Sequence, residues 1–485
     1  MEESLNLNTI SKRAIKGVFS LTFRRIALQV ISFVTINLVL ARFLPVETLG
    51  IFNIGVAVIA FFSFFSDIGL AAAIIQKKDK VSDYDLKTSF TIQQILVLIL
   101  VILLMLFAPM ISSYYKLDEA GAWLIRALAG SFFITSLKVI PSVLLERELK
   151  FGPLVTVEVL ETLAFNLLLV ILVFQGFGIW AFSVASIVRS GLGAILIYII
   201  APWKIGLGLS KQAAKTLLVF GVPFQANAIL ALIKDRLTPL IIAKIIGTTG
   251  IGYVTWAQNL AFLPLEVMTI IIRVSFPTLS RLQSDPKALK SSLEKSLFLT
   301  TLFVYPVLFG MLALAPSLID HVVSKKWEPA LLSFYLFSIS TFWATLSTTF
   351  TNSLNAIGKI KETLKLMILW TVLTWVLTPI LTIYLGFVGV AVSSAIISFT
   401  SVLTIILIKK YIPVSIIENI WQSGLASLLM GVSIFYLSKI FVSNLFSLVI
   451  MIIPGAIIYS ILLYIFAAGK LRKTLREVKD VFVKD

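Results

Sequence analysis

Runs of apolar residues long enough to cross a lipid bilayer recur along the whole chain, and they leave little choice of fold. A helix that spans the hydrocarbon layer needs about 20 mostly apolar residues. Fourteen such runs are readable. The first six lie near 20–44, 50–75, 89–110, 123–145, 154–175 and 178–201. Six more lie near 216–246, 251–276, 296–318, 330–356, 363–385 and 387–408, and two follow near 418–438 and 446–468. Inside a bilayer every backbone N–H and C=O must find a partner within the protein, so runs of this kind fold as helices. The chain is 59% hydrophobic with a mean hydropathy of +1.01, more than the packed core of a soluble chain of 485 residues uses. The expected fold is an all-α polytopic membrane protein with about 14 transmembrane helices. Two tight turns, QGFG at 175–178 and LGFVG at 385–389, join adjacent spans as helical hairpins.

Charge tests the count. With both termini in the cytoplasm, 29 lysines and arginines fall in cytoplasmic segments and 6 in outer ones. Cytoplasmic loops carry such an excess, and a miscounted span would blur it. The formal net charge of +17 is therefore read as an orientation signal in a multi-pass protein of the cytoplasmic membrane, not as a nucleic-acid footprint. The chain has no cysteine, which excludes disulfides and thiolate metal sites. One histidine, His321, reads as a surface residue and makes a histidine-based metal site improbable. No cofactor and no metal are expected.

The chain also repeats. ARFLPVETLG at 41–50 aligns without gaps on AKIIGTTGIG at 243–252, matching Gly50 with Gly252 at an offset of 202. GFGIWAFSVAS from Gly176 resembles GFVGVAVSSAI from Gly386, at an offset of 210. Both offsets follow an even number of spans, so the halves run parallel, a recognised transporter plan. The expected organisation is an N-lobe over 1–201, a linker over 202–215, a C-lobe over 216–410, two further spans over 411–468 and a basic tail over 469–485. The tail, GKLRKTLREVKDVFVKD, reads as a cytoplasmic helix on anionic lipid.

The stretch SDIGLAAAIIQKKDKVSDYDLKTSFTIQQ at 66–94 resembles a signature of the polysaccharide transporters, the oligosaccharide-lipid flippases of O-antigen, capsule and exopolysaccharide pathways. The matching residues are Asp67, Gly69, Leu70, Ile75, Gln76 and Lys77. LARFLPVETLGIFNIG is similar to the family's first outer turn, and the likeness is sharpest over 15–95. The family belongs to the multidrug/oligosaccharidyl-lipid/polysaccharide exporter superfamily. The resemblance implies two six-helix lobes facing a central cavity and working by alternating access.

Polar residues within spans are the candidate site, because a charge at mid-membrane costs about 2.5–3.5 kcal/mol on insertion scales. LIKDRLTPLI at 232–241 places Lys234, Asp235 and Arg236 about 15 Å from the outer end of the seventh span. Lys234 shares a face with Asn227, while Arg236 lies on another with Gln225. Either a cation meets a polar cavity, or Asp235 neutralises its neighbours in a structural role. Asn259, Glu266 and Arg273, spaced by seven, form a stripe on the eighth span, which Pro264 is placed to bend. Arg273 either lines the cavity or snorkels. Glu158 and Glu161, beside Thr162 and Asn166, either hold H+ or Na+ or pair with Arg147 or Lys150. Arg24, Arg25 and Gln29 open the first span. Arginine forks there suit a pyrophosphate, or simply anchor the helix. Asp67 reads as structural or charge-balancing. Arg126, Lys138 and Arg189 are further intramembrane or near-interface cations: Arg126 reads as snorkelling outward, and Lys138, before Pro141, as a further cavity candidate.

These features point to a flippase for polyprenyl-pyrophosphate-linked oligosaccharide, with membrane lipid, an H+ or Na+ gradient and polysaccharide-assembly machinery as partners, and not to an enzyme. A multidrug or metabolite exporter would more often keep an acidic cavity. A polysaccharide polymerase or membrane glycosyltransferase would show a large extramembrane loop, whereas the outer loops near 111–122 and 318–329 are short. A passive channel would show a filter-like stretch.

Overall fold

The computed structural model describes residues 28–483 apart from 30, 67, 78–80, 149 and 227–236. Among these residues every regular element is a helix. Eleven helices are long and apolar enough to cross a membrane, or twelve if the bent pair Glu119–Ser136 and Val139–Arg147 counts as one span. The protein is therefore a multi-pass membrane protein. Its exposed side chains agree: Leu106, Met110, Ile199 and Ile440 are each about 70% exposed on helix faces that suit lipid chains rather than water.

The expected fourteen are not all reached among the described residues, and the reasons are local. The expected first and seventh spans run partly through residues outside the described set; Phe33–Phe43 is a shorter apolar helix. The eighth is broken. A turn at Leu263 and Pro264 divides it between Thr238–Phe262 and Leu265–Arg281, whereas the non-helical Gly247 (φ 69°, ψ −175°) falls in the expected connection from the seventh span.

The chain forms two compact units, Met1–Gly252 and Tyr253–Asp485. In the first, the expected turn at 175–178 closes the hairpin of Phe151–Phe174 and Trp180–Ile200. Gly176 adopts φ +85° there; the Phe177 N–H donates to the Leu172 carbonyl (3.1 Å) and the Gly176 N–H to Val173 (3.0 Å). This pair of hydrogen bonds satisfies carbonyls that a helix end leaves free, and it needs a left-handed residue that glycine supplies without strain. Residues 202–210 have no regular secondary structure and are strapped to Asp83–Tyr114: the Gly208 and Ser210 N–H groups donate to the Thr91 and Thr88 hydroxyls, each at 3.0 Å. In the second unit Pro286–Leu318 lies along Ile416–Phe441, joined by Ser423 to Thr301 (2.9 Å) and Ser317 to Ser438 (3.0 Å). Small hydroxyl residues let the helix backbones approach closely where lipid provides no hydrophobic drive. Ile360–Leu385 and Val388–Phe399 form the second expected hairpin, with Gly386 at φ +59°.

Proline sets a recurrent pattern. It has no N–H, so the carbonyl four residues earlier loses its helical donor. Three such carbonyls are recovered by side chains from neighbouring helices. The Tyr198 hydroxyl donates to Leu137, four before Pro141 (2.9 Å). The Tyr459 hydroxyl donates to Leu302, four before Pro306 (2.8 Å). Arg126 Nε reaches Met105, four before Pro109 (3.4 Å), while its guanidinium lies 4.7 Å from the Trp123 ring. Arg126 thus has an internal partner beyond the snorkelling expected of it. Tyr198→Phe is expected to cost about 1–2 kcal/mol, because the Leu137 carbonyl is left unsatisfied. A denaturation midpoint in micelles equal to wild type would show that the carbonyl finds another donor.

Candidate functional site

Two opposite charges meet in the first unit, well inside the membrane-spanning helices. Lys138 occupies the break between Glu119–Ser136 and Val139–Arg147, whose axes differ by 44°. Pro141 and the capped Leu137 carbonyl account for that break. Glu161 lies on Phe151–Phe174, and its Oε1 receives a charge-assisted hydrogen bond from Lys138 Nζ. Lys138 is nine residues from Arg147 and Glu161 ten from Phe151, about 14 and 15 Å along the axes. Both ends face the same short connection, so the two charges share a depth near mid-bilayer. Their side chains are 14% and 6% exposed. Gly193 makes the room: a Cβ there would overlap the Glu161 carboxylate. Thr162 and Asn166 are buried on the same helix as Glu161, and Asn166 Nδ2 donates to the Thr162 carbonyl (2.7 Å).

The expected partners of Glu161 are engaged elsewhere. Arg147 Nη1 donates to the Ile74 and Lys77 carbonyls (2.7 and 2.6 Å), closing the end of the Leu70–Gln76 helix. Lys150 pairs with Glu148 (2.5 Å). Glu158 is half-buried one turn before Glu161.

The loop of the 66–94 signature is a second polar centre. Asp85 is 3% exposed and accepts from Lys77 Nζ (2.6 Å), the Ser82 N–H (2.8 Å) and the Ser82 hydroxyl (2.8 Å). The Ser82 hydroxyl accepts in turn from the Asp85 N–H (3.1 Å), completing a capping box at the start of Asp83–Tyr114. Lys77 of the signature is thereby a helix-anchoring residue. Gly69, at φ +81°, and Gly221 approach so closely that a Cβ on either would meet the other's backbone. Asp85→Ala is expected to cost about 2–3 kcal/mol, from a lost cap and a lost charged hydrogen bond. Equilibrium denaturation in mixed micelles measures it, and an unchanged value would mean the loop is not held by this carboxylate.

The other expected site residues are not gathered into one place among the described residues. Gln29 is helical and half-buried. Asn259 is exposed on Thr238–Phe262, whereas half-buried Glu266 and exposed Arg273 belong to Leu265–Arg281, beyond the Pro264 break. The freed Ala261 carbonyl at that break accepts from the Thr341 hydroxyl (2.7 Å). Glu266 sits in the first turn of its helix, where a carboxylate complements the positive end of the helix dipole. Arg24, Arg25, Asp67, Asn227, Lys234, Asp235 and Arg236 lie outside the described residues. On the connection between Pro286–Val323 and Ala330–Ala356, burial holds the Lys326 ammonium below the usual lysine range, and its carbonyl accepts from the Tyr253 hydroxyl (3.1 Å).

What reading the sequence missed is the Lys138–Glu161 pairing. The signal was present: a lysine and a glutamate of opposite charge in successive apolar runs, on helices joined by a short turn.

A bundle of membrane-spanning helices with charge held inside it defines an integral membrane protein. The polysaccharide biosynthesis protein family matches residues 39–332, and the chain belongs to that family. It is 25% identical over 298 residues to the lipopolysaccharide biosynthesis protein WzxC of Escherichia coli K12, covering 60% of this chain and 59% of WzxC. It is 25% identical over 366 residues to the succinoglycan biosynthesis transport protein ExoT of Rhizobium meliloti, covering 74% of this chain and 72% of ExoT. The match thus spans about three fifths of WzxC's length. The fold is similar to that of the lipid II flippase MurJ in an inward closed conformation, with a TM-score of 0.73 at 20% identity over 94% of this chain and all of MurJ.

Proposed function

We propose that the protein moves a polyprenyl-pyrophosphate-linked oligosaccharide across the cytoplasmic membrane by alternating access. The observation that carries this reading is membership of the polysaccharide biosynthesis protein family in a chain built almost wholly of membrane-spanning helices. Such a chain has the means to move a lipid-linked sugar between leaflets, and ExoT is a relative named for transport. The cargo pairs an anionic head group with a lipid tail, so cations held among spans are the chemistry it calls for. Lys234, Arg236 and Arg273 are assigned to that role, with Arg24 and Arg25 at the cytoplasmic entrance. Coupling to H+ or Na+, cytoplasmic termini and contact with polysaccharide-assembly machinery belong to the same proposal.

The parallel repeat is part of it, with six-span lobes over 1–201 and 216–410. A contact inside the first unit supports the repeat. A Cβ on Gly50 would overlap the Thr248 carbonyl, and one on Gly252 would lie 2.5 Å from the Val46 carbonyl. An offset of 202 maps Gly50 onto Gly252 and Val46 onto Thr248, so each contact is the other's repeat image. A local two-fold axis between parallel repeats produces such a reciprocal pair.

The test is transport of a labelled polyprenyl-pyrophosphate oligosaccharide in proteoliposomes. Lys234→Ala, Arg236→Ala and Arg273→Ala are compared at matched protein content. Loss of a cation that holds phosphate is expected to slow transport roughly tenfold or more. Unchanged transport in all three would remove the cationic cavity from the reading. Absence of transport by the wild type would remove the reading itself.

A further inference from the structure

The Lys138–Glu161 pair carries a consequence for what the protein binds. An ammonium held at this depth must have an anion beside it, because neither water nor lipid there compensates its charge. In the structure that anion is the Glu161 carboxylate. The two charges cancel, so the site is neutral. A second anion could take the ammonium only if Glu161 gave up its charge, since two anions on one buried cation would leave a net negative charge. The one way for a carboxylate to do so is to take up a proton. The site then stays neutral: the added proton offsets one negative charge of the incoming anion.

The surroundings leave this exchange to the pair. On the helix of Glu161 the other titratable group is Glu158. On Trp180–Ile200, packed against it, Arg189 lies 5.6 Å from the Phe165 ring and the Tyr198 hydroxyl is bonded to the Leu137 carbonyl. On the bent helix Arg126 reaches the Met105 carbonyl and Arg147 the end of Leu70–Gln76. Phe33–Leu40, also packed on this helix, has no titratable residue. Lys138 also sits at a helix break, where its N–H donates to the Thr135 carbonyl three residues back (3.1 Å) and its own carbonyl accepts from the Ser142 N–H (3.0 Å).

We propose that Lys138 and Glu161 form a proton-linked anion site: Glu161 takes up a proton, releases Lys138, and Lys138 then binds a phosphate oxygen of anionic cargo. The proton comes from the aqueous phase and stays on the Glu161 carboxyl. No covalent bond to the cargo forms or breaks. By reciprocity the anion and the proton each favour the binding of the other. The naming of the cargo as a polyprenyl pyrophosphate rests on the flippase reading; the linkage does not.

The test is calorimetric titration near neutral pH in buffers of different ionisation enthalpy, which counts protons exchanged on binding. The probes are a polyprenyl pyrophosphate in micelles and tail-free inorganic pyrophosphate. The wild type is expected to take up one more proton per bound probe than Glu161→Gln, a difference that removes protons exchanged by the probe itself. Glu161→Gln is expected to bind with little dependence on pH. The pair-free variant Lys138→Met/Glu161→Leu, which leaves no unpaired charge, is expected to bind roughly tenfold or more weakly. Equal proton uptake by wild type and Glu161→Gln overturns the proposal, as does wild-type affinity in the pair-free variant. Proton-linked binding of inorganic pyrophosphate without binding of the lipid keeps the site and sinks the flippase reading. No binding of either probe by the wild type overturns the site.

Discussion

Replacing Glu161 alone with leucine is expected to lower the free energy of unfolding by about 3–5 kcal/mol, because Lys138 is left as an unpaired buried charge. Lys138→Met alone is expected to cost a similar amount, with the carboxylate stranded instead. Lys138→Met combined with Glu161→Leu is expected to cost far less than the sum, and to lie near the wild type. The reason is the balance behind any buried ion pair. Desolvating two charges nearly cancels their attraction, so removing both loses little, whereas removing one exposes the whole desolvation penalty. Equilibrium denaturation of all four proteins in mixed micelles gives the double-mutant cycle, and its coupling energy isolates the pair. Additive single effects would show that Lys138 and Glu161 do not depend on each other. The side chains that close this region, Gly193 beneath the carboxylate and Tyr198 on the Leu137 carbonyl, fix where the pair can sit.

Substitution at the Gly50–Gly252 contact is the second large effect. Gly50→Ala and Gly252→Ala each put a methyl group into a neighbouring backbone, and a backbone carbonyl cannot rotate away as a flexible side chain can. Each is expected to cost about 2–3 kcal/mol through forced separation of Val46–Ser63 from Thr238–Phe262. The double variant is expected to fall short of additivity, because helices already forced apart by one methyl group have room for the second. Gly130→Ala is the control. It lies inside Glu119–Ser136 with nothing within 4 Å of its would-be Cβ, and it is expected to be neutral or stabilising by up to about 1 kcal/mol. A Gly50 variant as stable as Gly130→Ala would show that the close approach is not maintained.

The class of protein, most spans and both hairpin turns are legible in the residues themselves, because each is a local property. An apolar run of bilayer length has one low-energy conformation in lipid, and Gly176 or Gly386 at a helix end suits a left-handed turn whatever lies around it. Ser82 and Asp85, three residues apart, likewise closed their own capping box. Gly247 falls in the expected turn between the seventh and eighth spans, and Pro264 divides the eighth, where a bend was expected.

What the residues could not determine alone is which distant groups meet. Glu161 had Arg147, Lys150 and Lys138 as opposite charges within reach in sequence, and only the rotation and depth of the packed helices chose Lys138. Arg147 bonds carbonyls 70 and 73 residues away because Leu70–Gln76 ends beside it. Gly50 and Gly252 could be matched as repeats from sequence, but a glycine is equally suited to a turn, a flexible joint or a close contact. Packing made it a contact. Helix formation and membrane insertion are decided by hydrogen bonds and hydropathy over neighbouring residues, so sequence sufficed for them. Pairing inside the bundle depends on helix rotation and axial register, which only the packed tertiary structure sets.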